Sequence, residues 1–211
     1  MPRPPKTTKK AKKAATPAPE RSRRTLERLA NVVPHPRYGT EIEPSGLVGE
    51  DDVIPPPPDW SKDVIFPESA IPADVRKQNF TTMSHVHWYV DTLRDCRRCR
   101  RPFIFFAREQ KHWYETLRFR VEAECWECVE CRASLRTVRQ HFQRYGELVG
   151  KAALSNEEML ALATDAVFLW NQSILRDAQR LRRIKNRALR QVPEAAATRA
   201  IEALVASLPK P

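Results

Sequence analysis

Apolar and polar positions divide the chain into stretches of different character. Residues 1–25, MPRPPKTTKKAKKAATPAPERSRRT, hold almost no apolar residue beyond alanine and proline. Such a stretch cannot bury enough surface to offset its ordering entropy, so a disordered basic tail is expected over 1–25. Residues 26–80 open with a short helical pattern at 26–30. Two turn signals follow, His35-Pro36-Arg37-Tyr38-Gly39 and Pro44-Ser45-Gly46. Pro55 to Pro58 suit a short polyproline II rod. The few apolar residues here, Leu47, Val48, Val64, Ile65, Phe66 and Ile71, suit docking on the next domain. Residues 26–80 therefore read as an extended Pro-rich arm, ordered only where it packs on something else.

The pattern tightens over residues 81–150. Trp88-Tyr89-Val90 and Pro102-Phe103-Ile104-Phe105-Phe106 are strand-like. Residues 107–117 read as helix, and 118–124 alternate in the manner of a short strand. After Cys128 a helix is expected to about Tyr145, because Leu135, Val138, Phe142 and Tyr145 fall at helical spacing and Gly146 supplies a stop. Residues 155–208 are helical in pattern. Ser155 and Glu158 form a capping box. A stripe of Met159, Ala163, Val167, Trp170, Ile174, Ala178, Leu181, Ile184, Ala188 and Val192 advances in steps of three and four, which marks one face of a long helix. Pro193 ends it, and 194–208 form a second, Ala-rich helix. A folded-back helical hairpin is the first expectation for burying the stripe. Self-association or a protein partner on this helix is the second.

Charge adds a partner class. The 211 residues carry a formal net charge of +11, with 18 prolines against 5 glycines. That imbalance argues for stiff linkers. The charge is uneven: net +8 over residues 1–30, −6 over 31–95, +5 over 96–150 and +4 over 151–211. Basic blocks favour an acidic partner, nucleic acid or a ribosome, and the acidic arm between them could fold back and screen them. The run Lys9-Lys10-Ala11-Lys12-Lys13 belongs to the same picture. No stretch approaches the ~18 apolar residues of a membrane span. No apolar secretory segment follows the N-terminal charges, so a cytoplasmic location and no membrane partner are expected.

In a reducing compartment, paired C-x-x-C motifs read as metal ligands rather than disulfides. The pattern is C-x2-C-x28-C-x2-C, formed by Cys96, Cys99, Cys128 and Cys131. Four thiolates at ~2.3 Å give a closed tetrahedral zinc site with no position for a reacting water, hence a structural one. Cys125 and Cys128 form an overlapping C-x-x-C pair, and spacing alone does not choose between the two. A helix starting near Cys128 favours Cys128 and Cys131, since its positive N-terminus suits thiolates. His85, His87 and His112 read as ordinary packed or surface histidines. Arg97, Arg98, Arg100, Arg101 and Arg132 lie beside the cysteines in sequence and offset the charge of such a centre. Arg132, Arg136 and Arg139 share a helix face distinct from that of Leu135, Val138 and Phe142. Arg97, Arg98, Arg132, Arg136 and Arg139 are therefore candidate contacts to a nucleic-acid backbone. Phe103, Phe105, Phe106, Trp113 and Tyr114 read as core. No Ser/His/Asp grouping, phosphate loop or open metal site is visible, so the chain is not expected to be an enzyme.

These residues carry a resemblance. Cys96-Arg97-Arg98-Cys99-Arg100-Arg101-Pro102-Phe103-Ile104-Phe105, Glu109-Gln110-Lys111-His112-Trp113-Tyr114-Glu115 and Cys128-Val129-Glu130-Cys131-Arg132 together resemble the bacterial "probable zinc-binding domain" family of uncharacterised proteins. Those are small zinc-ribbon or treble-clef modules, and the likeness covers roughly residues 86–140. It implies a second ligand pair at Cys128 and Cys131, with Cys125 an extra thiol, and it implies metal binding without a settled biochemical role. Many members have glycine where this chain has Arg100. The expected fold is a small α+β treble-clef or zinc-ribbon module at 81–150. It carries a disordered basic N-terminal tail, an extended Pro-rich arm and a C-terminal α-helical hairpin at 155–208.

Overall fold

The structure of the chain, a computed structural model, describes residues 21–48, 64–79 and 85–209. The polyproline rod at Pro55 to Pro58 and residues 1–20 of the basic tail lie outside the described residues. The chain divides into two compact units, residues 1–131 and 132–211.

The first unit is built on a three-stranded antiparallel sheet in the order β1-β2-β3, with β1 at Val64–Pro72, β2 at Trp88–Asp95 and β3 at Pro102–Phe105. β2 and β3 pair from Thr92 with Phe105 to Asp95 with Pro102, and the hairpin tip between them is residues 96–101. β1 pairs Phe66 with Asp91 and then Ile71 with Tyr89, so extra residues bulge out between them. Val64, Ile65, Phe66 and Ile71 are thus strand residues of the sheet, and the arm contributes part of the fold. The helix expected at 26–30 is α1, Arg23–Leu29, capped by the Ser22 hydroxyl on the Thr25 N–H. Residues 21–25 of the expected tail are therefore in or beside a helix. After α1, Val33 donates to the Pro102 carbonyl at 2.8 Å and lies alongside Phe103. Gly39 and Gly46, the turn residues of the arm, have φ of 73° and 69°, which glycine adopts without strain.

After β3 comes α2, Ala107–Lys111, which runs on into a π-helical turn, His112–Thr116. Residues 118–124 are not a strand: they make a single bridge, Asn79 with Arg120, and a turn from the Ala123 N–H to the Arg120 carbonyl. The alternation there instead serves anchoring, with the Tyr114 hydroxyl donating to the Ala123 carbonyl at 2.8 Å. The apolar interior of this unit is divided among small clusters, one of Val32, Phe66, Leu93, Ile104 and Phe106, another of Tyr89, Ala107 and Tyr114. A third surrounds the cysteines: Val33, Cys96, Phe103, Phe105, Cys125 and Cys128.

α3 spans Val129–Val149 and continues past Gly146, the expected stop, because Tyr145 and Leu148 on either side of it are buried. The second unit adds α4 (Asn156–Asn171), α5 (Ala178–Gln191) and α6 (Ala196–Ala206). The Ser155–Glu158 capping box is present at α4. The long helix expected from the stripe is two helices. After Asn171 the chain turns left-handed at Ser173 (φ 58°). The Ser173 N–H bonds the Trp170 carbonyl, and the Ile174 N–H bonds the Leu169 carbonyl at 2.9 Å, a Schellman stop. Asp177 then caps α5 through the Arg180 N–H at 2.9 Å. Met159, Leu162, Ala163, Ala166, Leu169, Leu181, Ile184, Ala188 and Ile201 make one continuous core, so most of the stripe is buried between these helices, whereas Ile174 in the turn between α4 and α5 is exposed. Among the described residues, no helix is long and apolar enough to cross a membrane.

Candidate metal centre

The β2–β3 hairpin tip presents the first cysteine pair. Cys96 follows the last residue of β2, its N–H bonds the Arg101 carbonyl at 3.0 Å, and its carbonyl takes the Arg100 N–H at 2.9 Å. This tight closure forces Arg100 to φ 63°, the left-handed region that glycine enters freely and other residues enter at about 1–2 kcal/mol. The arginine tolerates the turn at that cost, and its side chain stays in solvent. The Arg97 N–H bonds the Trp126 carbonyl at 2.9 Å, and its guanidinium stacks 3.1 Å from the centre of the Trp126 ring. This stitches the hairpin tip to the segment that carries the second pair.

Cys128 sits immediately before α3 and Cys131 in its first turn. The four sulfurs of Cys96, Cys99, Cys128 and Cys131 lie within 4.8 Å of one another. The Sγ atoms of Cys99 and Cys128 are 3.8 Å apart. Four sulfurs each ~2.3 Å from one ion at tetrahedral angles stand ~3.8 Å apart, so this spacing is that of a ZnS4 centre. Cys96 and Cys128 are buried, Cys131 is half-buried and Cys99 is exposed. The His85, His87 and His112 side chains do not belong to the group.

Cys125 is also outside it. Its thiol is buried and directed to the Glu127 carbonyl at 3.4 Å, and its own carbonyl accepts from Arg94 at 3.3 Å. The overlap that spacing leaves open is thereby separated: Cys125 packs in the core beside the centre, and the helix start takes Cys128 and Cys131.

The electrostatics ask for a cation. Burial alone would raise the Cys96 thiol, but the amides of Cys99, Cys128 and Arg98 donate to its sulfur and bring it down to about 6. The Cys128 N–H does so at 3.3 Å. Cys131 is pushed up by burial and then by the neighbouring sulfurs of Cys128, Cys99 and Cys96. Cys128 is pushed up as well, first by burial. One thiolate forms readily, and its neighbours resist adding a second charge beside it. A divalent cation removes that conflict for all four at once.

The residues between the pairs serve as scaffold. Gln110 is fully buried and its Nε2 donates to the Val90 carbonyl at 2.5 Å and the Phe105 carbonyl at 2.9 Å, pinning α2 to β2 and β3. Glu115 accepts the Asp74 N–H at 2.7 Å and so holds the end of β1. Trp113 packs edge-on to Phe105 and Phe119, in keeping with a packing role. The motif alone assigns Gln110 and Glu115 no task; Gln110 is buried on α2 beside Ala107 and Glu109, and Glu115 is buried in the π-helical turn.

Of the candidate arginines, Arg97 and Arg98 are exposed on the hairpin tip, Arg132 is half-buried, and Arg136 and Arg139 are exposed on α3. Arg101 is paired with Glu130 at 2.9 Å. The side chains of Arg98, Arg100, Arg136 and Arg139 have no hydrogen bond or ion pair among the described residues.

Residues 90–140 match the family model described as a probable treble clef domain. The matched span begins in β2, includes both cysteine pairs and ends within α3. It carries a treble-clef zinc-binding module, and Cys96, Cys99, Cys128 and Cys131 fit one structural zinc ion. No curated protein and no solved structure matches the chain.

Proposed function

We propose that the chain is a zinc-stabilised binding protein of the cytoplasm that associates with nucleic acid or the ribosome, and that it is not an enzyme. The observation that carries this reading is the set of solvent-facing guanidinium groups without carboxylate partners. Arg98 and Arg100 stand on the hairpin tip, and Arg136 and Arg139 on α3. A zinc ion with four thiolates has a formal charge of −2, and Arg97, between Cys96 and Cys99 in sequence, is held on the hairpin tip by the Trp126 ring. The remaining arginines exceed what charge balance needs, and arginine forks match phosphate oxygens. The closed donor set holds the fold and leaves no coordination position for a substrate.

The test is a salt titration of binding to a labelled single-stranded RNA of mixed sequence. The logarithm of affinity falls linearly with the logarithm of salt. In an Arg98→Gln/Arg136→Gln/Arg139→Gln variant the slope is shallower by about 0.7 for each phosphate that is no longer neutralised. No binding at low salt, or an affinity that salt does not change, contradicts the reading.

One observation favours a second reading, a protein-interaction adaptor in which zinc only folds the module. Leu135 and Phe142 of α3 are 37% and 57% exposed and lie seven residues apart on one face. In that reading the same titration finds no RNA binding.

A further inference from the structure

The fourteen residues of α5 hold six cations, Arg180, Arg182, Arg183, Lys185, Arg187 and Arg190, and no acid. Its apolar face, Leu181, Ile184 and Ala188, is buried in the core of the second unit. The cations therefore have only the remaining faces to occupy. Arg180, Arg183, Arg187 and Arg190 follow in steps of three, four and three, which lays them in one line about 15 Å long. Arg180, Arg183 and Arg187 border a groove of about 380 Å³ whose apolar wall is Val149, Leu162 and Ile184.

This charge is poorly compensated. Among the described residues, the one ion pair on the helix joins Arg180 to Asp177 at 3.8 Å. Arg187 donates to the Lys151 and Ala152 carbonyls at 3.0 and 2.9 Å, and Arg190 to the Asn186 carbonyl at 3.1 Å. Those bonds orient the guanidinium groups without neutralising them. The side chains of Arg183 and Lys185 have no hydrogen bond or ion pair among the described residues. Like charges three and four positions apart repel along a helix, and Arg180 in the first turn opposes the helix dipole. The helix is held in place by its buried face despite this repulsion, and a bound polyanion would relieve it.

We propose that α5 is a second nucleic-acid contact surface that grips the phosphate backbone without regard to sequence. The proposal takes its partner class from the function proposed above and places it on different residues. Five of the six cations are arginine, whose planar fork meets two phosphate oxygens at once. Insertion into a membrane is disfavoured because the apolar face that would enter the lipid already faces the core. An acidic protein partner would look for a large apolar anchor at the centre of its interface, and the apolar side chains beside the arginine line, Leu162 and Ile184, are already buried in the core of the unit. A phosphate backbone needs only repeated cations and released counterions.

The experiment compares three full-length proteins for binding to labelled single-stranded RNA of mixed sequence across a salt series. They are the wild type, an α5 variant Arg180→Gln/Arg183→Gln/Arg190→Gln, and the Arg98→Gln/Arg136→Gln/Arg139→Gln variant. Arg187 is kept because it holds the Lys151 and Ala152 carbonyls. The α5 variant is expected to bind about tenfold more weakly or worse, with a salt slope shallower by about 2, at unchanged helicity and zinc content. If the triple variant does not fold, Arg183→Gln alone decides, with a slope shallower by about 0.7. Unchanged affinity and slope in the α5 variant overturn the α5 surface. The broader reading survives that result if the other variant is weakened. Weakening confined to the α5 variant supports α5 and removes the hairpin and α3 arginines. A wild type that binds no RNA overturns both.

Discussion

Asp91 shows how single residues set the chemistry of the first unit. It is buried in β2, and its Oδ1 accepts the Ala107 N–H at 2.7 Å, which satisfies the first turn of α2. Burial raises its carboxyl to about 6; the Ala107 bond and the nearby Arg108 only partly offset that, and Glu68 and Glu43 add to it. Because the folded value lies above the unfolded ~3.9, the proton stabilises the fold fully below pH ~4, and that contribution is lost as pH rises through 6. Asp91→Asn keeps an acceptor for Ala107 and removes the charge. The stability difference between wild type and variant is expected to move by about 1 kcal/mol in favour of asparagine between about pH 5 and about pH 7.5, read by denaturant unfolding. A difference constant over that range would show that Asp91 does not titrate in the fold. The same residue illustrates what a sequence hides. A charge inside a strand reads as a break in the pattern, and so does the buried Arg94. The cysteines were readable because their chemistry is written in their spacing. Preferring Cys131 to Cys125 as the partner of Cys128 rested on a helix start expected near Cys128, and α3 does start at Val129.

Elements were legible where periodicity and capping agreed, as at β3, α4 and the Ser155–Glu158 box, and obscure where tertiary partners decided. β2 reaches Asp95, beyond the readable Trp88-Tyr89-Val90, because both its neighbours supply hydrogen bonds to polar residues. β1 was read only as docking residues, since a lone apolar run does not reveal its pairing partner. The stop at Ser173 was invisible because the apolar stripe stays in phase across the break. α3 and α4 show a further hidden device. Asp165, fully buried on α4, accepts from Arg144 at 2.6 and 2.7 Å and pairs with His141 Nδ1 at 2.6 Å, and the His141 ring stacks on Phe168. Asp165→Ala removes the bonds to both partners, and since the half-exposed Arg144 can turn to water the stability of the helical unit is expected to fall by about 2 kcal/mol, measured by loss of helical signal in urea. A change under about 0.5 kcal/mol would mean that the network adds nothing net.

At the scale of the whole chain, the two units are stabilised by different means. The second has one continuous apolar core shared by α4, α5, α6 and the end of α3. Among the described residues, the first has three small clusters, and Cys96, Cys125 and Cys128 are members of one of them. A domain with so divided an interior relies on its metal, which can supply ~10 kcal/mol or more of folding free energy. The most direct test is native mass spectrometry of the purified chain, with the tryptophan fluorescence followed as a chelator is added. One zinc per chain is expected. Its removal should expose Trp113 and release the Trp126 ring from Arg97 while most of the helical signal of the second unit remains. A chain with less than stoichiometric metal whose fluorescence and stability ignore the chelator would contradict a fold built around four thiolates.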